Sequence, residues 1–228
     1  LLGSAEILLS QECKRSIVLA FFDAEEPPNF LESTMGSIRF YEDQRNGPVH
    51  AAIILDLVGH DVPVPGLEDL LFITGAESDP VLEAAVCQSE PEAGLRTVPT
   101  LNSYVTVPTL NGDVRDLSDH HVFRKNECPY LLLTCGRWEH YHSNTDTVDK
   151  LNIAKIEAVA NYVVTLTESL CRSSLDGPFL GNETLSTEIY FLEKNIMPTL
   201  GDLGIYLPLS TRSDVDRLVS LLMSQFDL

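Results

Sequence analysis

Three short stretches bring together side chains that can bind metal and move protons. Asp23-Ala24-Glu25-Glu26 follows the apolar run Ile17–Phe22. Asp56 closes a second apolar run, with Gly59 and His60 just beyond it. A third run, Tyr130–Thr134, leads into Glu139-His140-Tyr141-His142. Asp, Glu and His together suit a borderline cation such as zinc. Adjacent glutamates suit a hydrolytic centre, where one binds metal while its neighbour takes a proton from an activated water. Without a cation such carboxylates repel one another, which raises a pKa or opens the loop.

These residues matter only if their elements deliver them to one place. Ile17–Phe22, Ala51–Val58, Leu70–Thr74 and Tyr130–Cys135 are continuous apolar runs, as expected of strands buried on both faces. Between them, Gly3–Ser10, Met35–Gln44, Asp79–Cys87 and Ile153–Leu170 carry helical spacing, clearest in Ile153, Ile156, Ala160, Val163, Val164 and Leu170. Alternating strands and helices predict an α/β fold with a mostly parallel central sheet flanked by helices on both faces. In such sheets ligands bind beyond the carboxyl ends of the strands, where the three acidic and histidine-bearing stretches fall. Pro91–Arg115 reads as loop, with a short strand around Tyr104–Val107. After Cys171 the texture changes: Asp176-Gly177-Pro178 signals a turn, Thr187–Asn195 a helix, and Ser213–Phe226 a last helix with Ser213 as cap and Asp216 at its third position. The predicted division is an α/β domain over 1–172 and a helical extension over 173–228 packed on it.

Composition narrows the function classes. The 228 residues carry 15 Lys+Arg against 34 Asp+Glu, a net charge of −19, with 44% hydrophobic and 21% charged residues. That is a folding composition. Sparse, scattered basic residues argue against nucleic acid as a partner. The acidic balance favours cationic ligands, a peptide amino terminus among them. No apolar run approaches the roughly 18 residues of a membrane helix. Cys13, Cys87, Cys128, Cys135 and Cys171 have no metal-finger spacing. They read as buried thiols, with one disulfide compatible with an exported protein. Asn182-Glu183-Thr184 fits a glycosylation sequon.

Six segments, in order, resemble the M28 family of zinc aminopeptidases: Ile17–Glu26; Met35-Gly36-Ser37 with Phe40; Ile54–Gly59; Ser118-Asp119-His120 with Phe123; Cys128-Pro129; and Tyr141-His142 followed by Asp146-Thr147 and Asp149-Lys150-Leu151. The resemblance implies removal of N-terminal residues from peptides by two zinc ions. By position it makes Glu25 the general base and Glu26, Asp56 and His142 metal ligands. Tyr141 becomes the donor to the oxyanion, and Asp119 and His120 groups that orient ligands or substrate. It places the family's remaining ligands, a His and a bridging Asp, ahead of Leu1 together with several N-terminal strands, so that the domain is N-terminally incomplete here. Family members are often exported, which points to a secreted or periplasmic location. Glu26-Pro27-Pro28-Asn29-Phe30 departs from the glycine-bearing loop usual at that point.

Two other readings fit the same residues. Phe21–Glu26, Leu55-Asp56-Leu57 and Asp119-His120 are also similar to glutaminyl cyclases, single-zinc acyltransferases that close an N-terminal glutamine with Glu25 as proton shuttle; those enzymes carry Trp where this chain has Tyr141. A catalytically inactive, peptide-binding relative would share the fold and lack an upstream ligand.

Overall fold

The computed structural model describes residues 1–43, 47–108, 114–175 and 182–226. In chain order its elements are α1 (Leu2–Leu8), α2 (Gly36–Asp43), β1 (Ala52–Leu55), β2 (Leu70–Thr74), α3 (Pro80–Gln88), β3 (Arg96–Thr100), β4 (Thr106–Pro108) and β5 (Val114–Asp116). They continue with α4 (His120–Lys125), β6 (Tyr130–Thr134), α5 (Ile153–Arg172), α6 (Leu185–Asn195), α7 (Met197–Asp202) and α8 (Arg212–Phe226). The central sheet runs β1-β6-β2-β3. β1 is parallel to β6 and β2 to β3, whereas β2 and β6 are antiparallel. The fold is thus α/β with a mixed, mostly parallel sheet. The carboxyl ends of β1 and β6 share one edge, and those of β2 and β3 point the other way.

β6 is buried at all five positions, and its side chains alternate between two cores. Leu131 and Leu133 face a large core with α3, α5, α6 and α8, through residues such as Leu82, Leu166, Leu192 and Leu218. Tyr130 and Leu132 face a smaller one with Ile54, Val122 and Phe123, against which Phe40 and Tyr41 of α2 also pack. Helices therefore cover both faces. α5 starts where the Asn152 side chain accepts from the Lys155 amide at 3.0 Å. α6, α7 and α8 share the large core, so the residues after Cys171 pack on the same body.

Four expectations need correction. The run Ile17–Phe22 is extended but joins no strand ladder, and Val18 and Phe21 are 49% and 67% exposed. A cavity of about 840 Å³ separates it from the outer edge of β1, lined by Val18, Leu19 and Phe22 on one side and Ile53 and Leu55 on the other. Second, Arg96–Thr100, read as loop, is β3. Pro99 and the threonines hid it, yet β3 pairs only with β2, and a proline is tolerated in an edge strand. Third, Tyr104 belongs to a 3-10 turn, Asn102–Val105, and the short strand starts at Thr106. Fourth, α8 begins at Arg212. Its cap is Thr211, whose hydroxyl accepts from the Asp214 amide at 3.3 Å while Asp214 Oδ2 accepts from the Thr211 amide at 2.9 Å. Asp216 instead accepts from the Tyr104 hydroxyl at 2.6 Å. The turn expected at Asp176-Gly177-Pro178 lies outside the described residues.

The short α4 is held by a wholly buried carboxylate that its sequence neighbours did not advertise. Asp116 accepts from Arg124 Nε at 2.8 and 2.9 Å, from the Asn102 side-chain Nδ2 at 2.8 Å and pairs with His121 Nδ1 at 2.8 Å. Burial alone would push its carboxyl up. The neighbouring His120 and hydrogen bonds from His121 and Asn102 overcome that and hold it well below the usual carboxylate range. Asp116→Ala should cost about 3 kcal/mol in chemical denaturation, as expected when one partner of a buried ionic cluster is removed. Because the folded pKa is depressed, the contribution of Asp116 is full above its ordinary value of 3.8 and drains away as pH falls below it. The difference in stability between wild type and Asp116→Asn should therefore shrink in acid.

Candidate active site

The carboxyl edge of β1 and β6 gathers most of the residues singled out above. Asp56 directly follows β1, its amide donating to the Leu133 carbonyl at 3.2 Å. The loop after β6 carries Tyr141 and His142, and the segment after Phe22 brings Glu25 and Glu26 to the same edge. His142 Nε2 lies 3.4 Å from Glu26 Oε1. The rings of Tyr141 and His142 meet at a tilt of 49° with centroids 3.9 Å apart, and the Arg137 guanidinium sits 5.5 Å over the Tyr141 ring.

Three tight backbone turns aim these side chains. Ala24, Leu57 and His142 all have positive φ, at 56°, 51° and 54°. Non-glycine residues rarely adopt such angles, and each here adjoins or carries a candidate group. The turn before Glu25 is braced from below by α2: the Gly36 amide donates to the Asp23 carbonyl at 2.9 Å. A β-carbon on Gly36 would stand 2.8 Å from the backbone N and O of Asp23. The glycine of the Gly36-Ser37 pair is therefore a packing requirement of the Glu25 loop. Gly36→Ala should cost about 1–3 kcal/mol in urea unfolding, since neither backbone can yield cheaply.

Electrostatics give the cluster its character. Glu25 is half-buried and its carboxyl is pushed up to about 7, first by desolvation, then by the neighbouring charges of Asp56, Glu26 and Asp119. The Asp119 carboxyl is raised too, by burial and then by Asp56, with the Ser37 side chain acting the other way. One oxygen of Asp119, Oδ1, is buried without a hydrogen-bond partner. Burial and Glu26 also raise the Tyr141 phenol, so it stays a hydrogen-bond donor at neutral pH.

A donor set of carboxylates and imidazole, short of positive charge and with an unpartnered buried oxygen, fits a divalent cation in its chemistry. Among the described residues, however, no three His, Cys, Asp or Glu side chains converge into a ready cage. Glu26 and His142 form the closest pair, and Asp56 is linked to them through the electrostatics of Glu25 and Tyr141.

His120 stands apart. Its ring is wholly buried, stacked on Tyr130 at 5.5 Å and 3.5 Å from Asp116, so it supports α4 from within. His60, which also follows β1, is buried against Trp138 at 4.6 Å, and desolvation and then Lys155 hold its imidazole down to about 4. The sequence reading missed Ser37, Asp116 and Arg137. Asp116 follows Arg115 and stands four residues before the His120-His121 pair, with no motif of its own to mark it.

The model of peptidase family M28 matches residues 1–167. This chain belongs to peptidase family M28. The uncharacterized protein YfbL of Escherichia coli K12 is 27% identical over 188 residues, covering 73% of this chain and 55% of its own length. The chain thus spans about half the length of that curated relative. The LapA aminopeptidase of Legionella pneumophila superposes with a TM-score of 0.56 at 16% identity, over 75% of this chain and 44% of LapA, which establishes a shared fold. An aminopeptidase from Aneurinibacillus sp. strain AM-1 aligns at 0.42 and 19% identity, over 71% and 34% of the two chains.

For this M28 chain, the raised Glu25 carboxyl has a consequence for the cation-free protein. A carboxyl whose folded pKa is raised favours the folded state below its ordinary value of 4.5, and that benefit is lost as pH rises through about 7. Glu25→Gln should flatten the fall in Tm of chelator-treated protein between those pH values, read by calorimetry.

Proposed function

We propose that this M28 protein is a zinc-dependent aminopeptidase that removes N-terminal residues from peptides. The observation that carries the proposal is the gathering of Glu25, Glu26, Asp56, Asp119, Tyr141 and His142 at one sheet edge, with a base poised near neutrality. Glu26, Asp56 and His142 would hold metal, and two zinc ions are expected, with further ligands from elsewhere in the whole protein. Bound zinc would supply Lewis acidity to a water and to the scissile carbonyl.

Each step assigned to this chain follows from position and protonation. Glu25 takes the proton of the attacking water and returns it to the leaving amine, a role that favours a carboxyl titrating near the working pH. Tyr141, kept protonated by burial and its acidic neighbours, donates to the oxygen on which negative charge develops. Asp119 has a free buried oxygen at the site and receives the substrate ammonium. The overall charge of −19 also favours a cationic amino terminus.

The test uses the full-length protein. Elemental analysis should find about two zinc ions per chain, and aminoacyl substrates should be cleaved until a chelator is added. Glu25→Gln should lower kcat by about 10²–10⁴-fold with zinc retained, because the base is lost and the ligands are not. Unchanged turnover in Glu25→Gln sinks the assignment of the base. One tightly held zinc with ammonia release from an N-terminal glutamine peptide, and no other cleavage, would replace the peptidase by a cyclase.

A further inference from the structure

The segment leading to Glu25 and Glu26 is tied down at its start. α1 lies along α5, with the Ser4 hydroxyl donating to the Ala160 carbonyl at 3.1 Å. The chain leaves α1 and reaches the far end of α5, where the Arg15 guanidinium donates to the Ser173 carbonyl at 3.1 Å. Cys13 stands two residues before Arg15, and Cys171, the penultimate residue of α5, two before Ser173; Lys14, Arg15 and Cys171 line the same end of one cavity, and the two thiols interact electrostatically. Both are free thiols, Cys13 half-buried and Cys171 only 7% exposed. The other cysteines are engaged elsewhere: Cys87 against Thr187, Cys128 against the Val49 carbonyl, and Cys135 wholly within the large core.

We propose that Cys13 and Cys171 are a redox pair that closes to a disulfide, stapling the root of the Lys14–Phe22 segment to the end of α5. The oxidant is a disulfide of a small thiol or of a dithiol oxidoreductase. The more exposed Cys13 attacks one of its sulfurs as thiolate and releases the first thiol. Cys171 then attacks Cys13 in the mixed disulfide and releases the second. Two electrons pass from the pair to the incoming disulfide, and the two thiol protons end on the released thiols. Burial, and then Cys13, push the Cys171 thiol up to about 11, with Arg15 acting against them. Cys171 is thus suited to the second, intramolecular step, where proximity replaces nucleophile concentration. Cys171 also lines the cavity between Lys14–Phe22 and β1, so the staple spans one end of it.

Full-length protein incubated with oxidised glutathione, then alkylated and digested without reduction, should yield one linked peptide joining Cys13 and Cys171, absent after reduction. The oxidised form should melt about 5 °C or more above the reduced form. In Cys13→Ser, Cys171 should lose its oxidant-dependent protection from alkylation while Cys87 reacts as before. Alkylation of both thiols after saturating oxidant overturns the proposal, as does a linked peptide that pairs either with another cysteine. The peptide map reads the unsubstituted protein, so a variant that fails to fold leaves the test intact.

Discussion

Four carboxylates crowded at one edge of a sheet repel one another, and holding them there is the constraint around which this fold is organised. Burial first, and then the charges of Asp56, Glu26 and Asp119, push the Glu25 carboxyl up to about 7. No hydrogen bond between the acids relieves the repulsion. What keeps them together is backbone: the left-handed turns at Ala24 and Leu57, the brace of Gly36 on Asp23, and the strand ends below them. Local strain of this kind persists only where surrounding packing over-determines it.

That packing is supplied mainly by β6. Its five buried side chains are shared between two cores, so the same strand fixes α5 on one face and α4 on the other. Its parallel partner β1 presents Asp56, and its own carboxyl end presents the Tyr141-His142 loop. Its antiparallel partner β2 does the reverse and sends its following loop to the opposite edge. The change of direction within the sheet confines the acidic cluster to half of it. The other half, together with α6, α7 and α8, serves as ballast for the core.

Most of this was legible where one residue type can do one thing. Tyr130–Thr134 and Leu70–Thr74 read as strands because unbroken apolar runs of that length fit strands covered on both faces, and both are. Ile153–Leu170 read as a helix because its apolar spacing matches one buried stripe. Ile17–Phe22 misled because a strand is a property of a pair: the run has the composition, and among the described residues no strand lies beside it to complete the ladder. Arg96–Thr100 misled in the opposite sense, since an edge strand need not look apolar or avoid proline. Among the site residues, Glu25, Glu26, Asp56, Tyr141 and His142 fall together because they follow elements that share an edge. His120 does not, because consecutive residues at a helix start point about 100° apart, and its ring turns inward beside Asp116 and Tyr130. Asp116 escaped notice because its importance comes from partners at Asn102, His121 and Arg124 that only the tertiary fold assembles.

A carboxyl that titrates near 7 within a cluster of anions is, in effect, a proton reservoir at neutral pH. Any cation or ammonium that settles among Glu25, Glu26, Asp56 and Asp119 removes the reason for that proton to stay, and it is expelled to solvent. Occupancy and acidity are therefore exchanged against each other. Each unit of acidification below about 7 weakens capture by up to tenfold for each proton displaced. At a given concentration of the incoming cation, the pH of the surroundings would thus tune how full the cluster is.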